Sequence, residues 1–64
     1  MPSSAMRGRD LRRIRTKLGL SQRAFANQLG LTANHVSRLE RDVVAITQTV
    51  ARFVRLLEKQ GGRR

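Results

Sequence analysis

The chain has no cysteine, one histidine (His35) and only four acidic residues among its 64. Without cysteine there is no disulfide framework, and one histidine cannot build a multi-ligand zinc site. This usage suits a reducing compartment. No apolar run approaches the ~20 residues of a membrane span. The opening stretch MPSSAMRGRD lacks the hydrophobic centre of a secretory signal, so a cytoplasmic location is expected. The four carboxylates are scattered and no glycine-rich phosphate loop is present, so no nucleophile–base pair can be assembled. The expectation is a protein with no catalytic residues, no metal and no cofactor.

What is abundant is arginine. Fourteen Lys and Arg against four Asp and Glu give a formal net charge of +10 and a pI near 12.0, and twelve of the fourteen are Arg. Solubility alone asks for a net charge of roughly 2–8 in a small domain. The excess points to a polyanionic partner, and Arg is the cation that pairs bidentately with phosphate and with guanine edges.

The apolar pattern is helical throughout. Leu11, Ile14 and Leu18 recur at three and four residues from about Gly8, with Asp10 in the first turn and Gly19 as a stop. Two shorter patterns follow, at about 22–29 and 33–41. Ser21 and Thr32 stand where helix N-caps belong, and Gly30 stands where the chain must turn left-handed. Phe25, Ala26 and Leu29 on one side meet Val36 and Leu39 on the other, with Ala26 small enough to let two helices approach. This is the outline of helix, tight turn, helix. An αα-hairpin used only for packing would show much of the same pattern.

After Arg41, DVVAI is a short β-branched run, read as a loop with apolar anchors. Thr47, or its rival Thr49, caps a last helix that runs to about Gln60. Placed at 100° per residue, Ile46, Val50, Phe53 and Leu57 form its core stripe, with Val54 and Leu56 on the two flanks. Those flanks exceed what a small core requires. Together with Val43 and Val44 they are expected to form a self-association face. Residues 1–7 are expected to be a disordered N-terminus, 8–60 a single domain and 61–64 a frayed basic tail.

The run LRRIRTKLGLSQRAFANQLGLTANHVSRLER, Leu11 to Arg41, resembles the Cro/CI-type (XRE-like) helix-turn-helix family of phage and bacterial transcriptional regulators. The LGLSQ opening, the small Ala26, the LGL turn and the VSRLE end stand at that family's spacing, and TVARFVRLLEKQ resembles its closing helix. The resemblance spans roughly residues 9–60. It implies an all-α, compact Cro/CI-like domain of four helices, where many relatives have five, with the helix-turn-helix at about 22–41.

The resemblance also implies roles. Ala33, Asn34, Ser37 and Arg38 match base-reading positions. Their chemistry agrees for Asn34, which can pair with adenine, and Arg38, which can pair with guanine. Gln22, Thr32 and Arg41 match backbone contacts. His35, beside the reading face, is read from its position as a phosphate contact or a solvent-exposed side chain, and the charge makes Arg12 and Lys17 further phosphate candidates beside Arg7, Arg9 and Arg13. Glu40 is implied to pair with Arg15 in a partly buried bridge. Asp42 stands where many relatives have glycine. The partner implied is double-stranded DNA carrying an inverted repeat, bound by a homodimer that represses its own operon. Two rivals remain in sequence terms. One is an antitoxin- or controller-type module that also binds a protein; the other is a cationic helical protein acting on RNA or a membrane.

Overall fold

The structure, a computed structural model, describes residues 6–61. Four helices carry its regular structure: α1 (Gly8–Lys17), α2 (Gln22–Leu29), α3 (Ala33–Glu40) and α4 (Gln48–Gly61). No strand occurs among the described residues, and the fold is all-α.

Local chemistry places the helix ends. The Ser21 hydroxyl accepts from the Ala24 N–H at 3.0 Å and the Thr32 hydroxyl from the His35 N–H at 3.1 Å. Thr47 accepts from the Val50 N–H at 3.3 Å, which makes it, rather than Thr49, the cap of α4. Each cap satisfies an N–H that has no partner within its own helix.

The first three helices stop by one device. In each, an N–H two or three residues past the helix end reaches a carbonyl five residues back: Leu20 to Arg15 at 3.2 Å, Leu31 to Ala26 at 2.8 Å, Val43 to Arg38 at 3.0 Å. This closure needs a left-handed residue just before the donor. Gly19 and Gly30 supply it with φ of 72° and 74°, and Asp42 supplies it after α3 with φ of 61°.

The helices pack as a ring in the order α1, α3, α2, α4, so that α3 and α4 lie diagonally across the core. Leu11, Ile14, Phe25, Ala26, Val36, Leu39 and Val54 fill that core, and Ala51 is buried as well. Each large side chain removed from water contributes about 1.5–3 kcal/mol before chain entropy is opposed to it.

Two expectations shift. α4 is turned by about 60° from the stripe its sequence implies: Val50, Ala51, Val54 and Leu57 face inward, and Phe53 is 43% exposed. At the chain's start, Met6 packs against the core and Arg7 is the N-cap of α1, so the expected disorder does not extend to these two. The rest of the expected disordered segment, residues 1–5, and residues 62–64 of the basic tail lie outside the described residues.

Candidate nucleic-acid interface

α3 buries Val36 and Leu39 and turns its opposite side outward. At 100° per residue, Asn34, Arg38 and Arg41 fall within about 60° of one another, directly away from the buried pair. All three are exposed. Ser37 is half-buried at the edge of this face, and Ala33 and His35 are half-buried on its two flanks. Thr32 is exposed at the N-terminal end, its hydroxyl occupied by the cap. The Arg41 Nε donates to the Ser37 carbonyl at 3.4 Å, which folds that guanidinium back along the helix.

Behind this face a carboxylate ties three elements together. Arg15 Nε donates to Glu40 Oε2 at 2.6 Å and a second guanidinium nitrogen to Oε1 at 3.3 Å. A third arm of Arg15 donates to the Leu20 carbonyl at 2.9 Å. Gln22 Nε2 donates to Glu40 Oε1 at 3.1 Å. The Glu40 side chain is 4% exposed. Its partners come from α1 and from the start of α2, so the end of α3 is fixed against both.

This network changes the place of Gln22. Its amide, expected to meet a phosphate, has one N–H committed to Glu40. A phosphate contact is left to the second amide hydrogen or to the backbone N–H at the start of α2. Lys17 also departs from expectation. Its ammonium lies 3.3 Å from Glu58 of α4, on the flank of α1 turned from α3. Arg12 lies about 140° around α1 from Lys17, on the flank that carries Gly8 and Arg15 toward α3, and it is exposed.

Of the four residues expected to form a self-association face, one is out of reach of a partner and the other three lie on separate parts of the surface. Val54 is fully buried in the core, because the turn of α4 carries it inward, and it cannot meet a partner. Val44 is half-buried against the core, Val43 stands out of the α3–α4 loop at 65% exposure, and Leu56 is 48% exposed on the outer side of α4.

Two features were missed in the sequence. Asp42 Oδ1 accepts the Gly8 N–H at 2.8 Å, so the acid that takes the left-handed turn after α3 also caps α1 from across the fold. Gly8 is buried against α3, and a Cβ there would lie 2.4 Å from the Glu40 carbonyl oxygen. Glycine at the start of a helix was the one available signal.

A short helix capped by Thr32, held by a tight turn against α2 and presenting Asn and Arg away from the core, defines a helix-turn-helix DNA-binding domain. The chain belongs to the helix-turn-helix family of the Cro/CI (XRE-like) type, whose family model matches residues 11–54. The match covers all of α1 beyond its first turn, both motif helices and the first half of α4. No curated protein and no solved structure matches the chain. The protein is thus a DNA-binding transcription regulator of the XRE type. Among the described residues no helix is long and apolar enough to cross a membrane.

Proposed function

We propose that the protein is a repressor that binds an inverted-repeat operator, one copy on each half-site, with α3 in the major groove. The observation that carries this reading is the row Asn34, Arg38, Arg41 on the face of α3 opposite its core contacts. Asn34 and Arg38 provide the bidentate groups suited to adenine and guanine edges. Arg41 and Arg12, with the backbone N–H groups at the start of α2, provide phosphate contacts on either side. Ser37, Ala33 and His35 shape the margin of the contact.

Two copies meet, in this reading, across the α3–α4 loop, where Val43 protrudes and Val44 supports it. That surface is small. A stable interface covers roughly 800 Å² on each partner, and like net charges of +10 oppose the approach. Pairing therefore occurs on DNA, where phosphates neutralise both copies, and the free chain is a monomer. The protein acts in the cytoplasm, on the nucleoid.

Selection of binding sites from random duplex DNA tests this directly. The expected product is an inverted repeat with half-sites centred one helical turn, about 34 Å, apart or a multiple of it. Affinity should fall by about 10³–10⁵ between 50 and 200 mM salt, as 6–10 phosphate contacts require. Recovery of unrelated sequences bound with equal strength would overturn the reading.

A further inference from the structure

The outer face of α4 combines cations with large exposed apolar side chains. Thr49, Arg52, Phe53, Arg55, Leu56, Lys59 and Gln60 are all exposed and together cover the half of the helix turned from the core. Within it Arg52, Arg55 and Lys59 form a row at three- and four-residue spacing, and Phe53 and Leu56 lie beside that row at 43% and 48% exposure. Like charges at such spacing weaken a helix. Two large apolar side chains held in water add nothing to stability either.

The operator does not account for these cations. α4 is diagonal to α3 across the core, so its outer face points away from any duplex that α3 engages. Nor does the chain answer them. Asp10 accepts from the Arg7 N–H and lies near Arg13, Glu40 holds Arg15, Asp42 holds the Gly8 N–H, and Glu58 holds Lys17. These are the only four acids in the sequence, and none stands on this face. A second copy would bring the same cations and the same committed carboxylates.

Phe53 and Leu56 alone offer too little apolar area for a partner that ignores the charges. A bare polyanion such as a second duplex would leave both in water. A membrane surface would need a wider apolar face, and the remaining apolar residues of α4 are in the core. We propose that the outer face of α4 docks an acidic, amphipathic segment of another protein. Its carboxylates meet Arg52, Arg55 and Lys59, and its apolar side chains cover Phe53 and Leu56. Because the two faces are diagonal, the regulator holds this partner and DNA together. The proposal rests on the assignment of α3 to DNA, both in setting these cations apart from the operator and in that last statement.

The test is selection of short acidic amphipathic peptides, displayed as a library, against the full-length chain, followed by backbone amide shifts with a selected peptide. Three probes run beside it: poly-glutamate of equal charge, phosphatidylglycerol vesicles, and duplex DNA. The expected peptide moves amides of α4 from Thr49 to Gln60 and leaves α3 in place. It binds at least about tenfold more weakly to the exposed double variant Arg52→Glu/Arg55→Glu, whose melting curve shows that it folds. Leu56→Ala should weaken it as well.

Duplex DNA should move α3 and leave the peptide bound; DNA that moves neither α3 nor α4 would refute the operator reading alone, whereas DNA that moves α4 would overturn both. The docking proposal is overturned by no selected binder, by poly-glutamate binding as tightly as the peptide, or by vesicles engaging α4. Peptide shifts centred on α3, or self-association through Leu56 in sedimentation, would overturn it equally.

Discussion

Gly8 donates its backbone N–H to Asp42 Oδ1 at 2.8 Å, joining the first residue of α1 to the second residue past α3. A local rule is broken to make this bond. Asp42 takes a left-handed φ of 61°, a conformation that costs a non-glycine residue about 1 kcal/mol or more. The return is a carboxylate at a helix N-terminus, where caps contribute about 0.5–2 kcal/mol and the helix dipole favours negative charge. Replacement by glycine should therefore be close to neutral, since strain and cap are lost together. Asp42→Asn should cost a few tenths of a kcal/mol, because Asn tolerates the turn and keeps an acceptor oxygen. Asp42→Ala loses the cap and keeps the strain, at about 1–2 kcal/mol. Urea unfolding of the three variants checks the order, and an alanine variant as stable as the glycine one would refute it.

Gly8→Ala tests the same contact from the other side. In a free helix alanine would gain about 1 kcal/mol over glycine. Here the new Cβ would meet backbone oxygens of Glu40 and Leu39 at 2.4 and 2.6 Å, and neither is a side chain that can swing aside. α1 must move off α3, which also stretches the Arg15–Glu40 pair. A net loss of about 1–3 kcal/mol is expected. Thermal unfolding followed by circular dichroism reads it; a raised melting temperature would mean the helices separate at no cost.

Glu40 is the acid on which the motif's angle depends. Removing its side chain leaves the Arg15 guanidinium and the Gln22 amide without their partner in a site where Glu40 is 4% exposed. Breaking one side of such a pair costs about 3–5 kcal/mol. In a domain this small each kcal/mol shifts the melting temperature by about 4–8 °C. Glu40→Ala should thus melt far lower while selecting the same DNA sites at low temperature. An unchanged melting curve would count against the bridge.

The parts of the fold set by neighbours in the chain were readable from the sequence. Ser21, Thr32, Thr47, Gly19 and Gly30 announce helix ends because a hydroxyl or a missing Cβ acts within four residues of itself. The core of the motif was readable for the same reason, since Phe25, Ala26, Val36 and Leu39 repeat at helical spacing. α4 differs by about 60° from its sequence pattern for physical reasons. Ile46 precedes the Thr47 cap, where side chains no longer advance 100° per residue, so it does not belong to the helical stripe. Phe53 is large yet exposed, and the buried Ala51 is too small to stand out in an apolar pattern. The Gly8–Asp42 bond spans 34 residues and depends on how α1 meets α3, which no local pattern records.

The orientation of α4 separates Val54 from Leu56 experimentally. Val54→Asp would place a charge in the sealed core and should leave the chain unfolded. Leu56→Asp and Val43→Asp alter exposed positions and should unfold within about 0.5 kcal/mol of the parent. Of these two, only Val43→Asp should reduce cooperative filling of paired half-sites while leaving binding to a single half-site intact. Circular dichroism and gel-shift titrations on one and two half-sites distinguish them. A folded Val54→Asp chain would mean that α4 is not turned as described.

Arg38 carries the sharpest prediction about recognition. Its side chain leaves the middle of the exposed face of α3, four residues from Asn34 and three from Arg41. If it reads a guanine edge, Arg38→Ala should cost about 1–3 kcal/mol on the selected operator and relax preference at one position in each half-site. Arg41→Ala should instead weaken binding to every sequence alike and lower the salt slope by about one for each bound copy. The pair of variants therefore separates reading from anchoring on neighbouring turns of one helix. Repeating the site selection with each variant, and measuring affinity at several salt concentrations, gives both readouts. If Arg38→Ala lost as much affinity for random duplex as for the operator, its guanidinium would be bound to phosphate, and Asn34 would be left as the residue of that face chemically suited to a bidentate base contact.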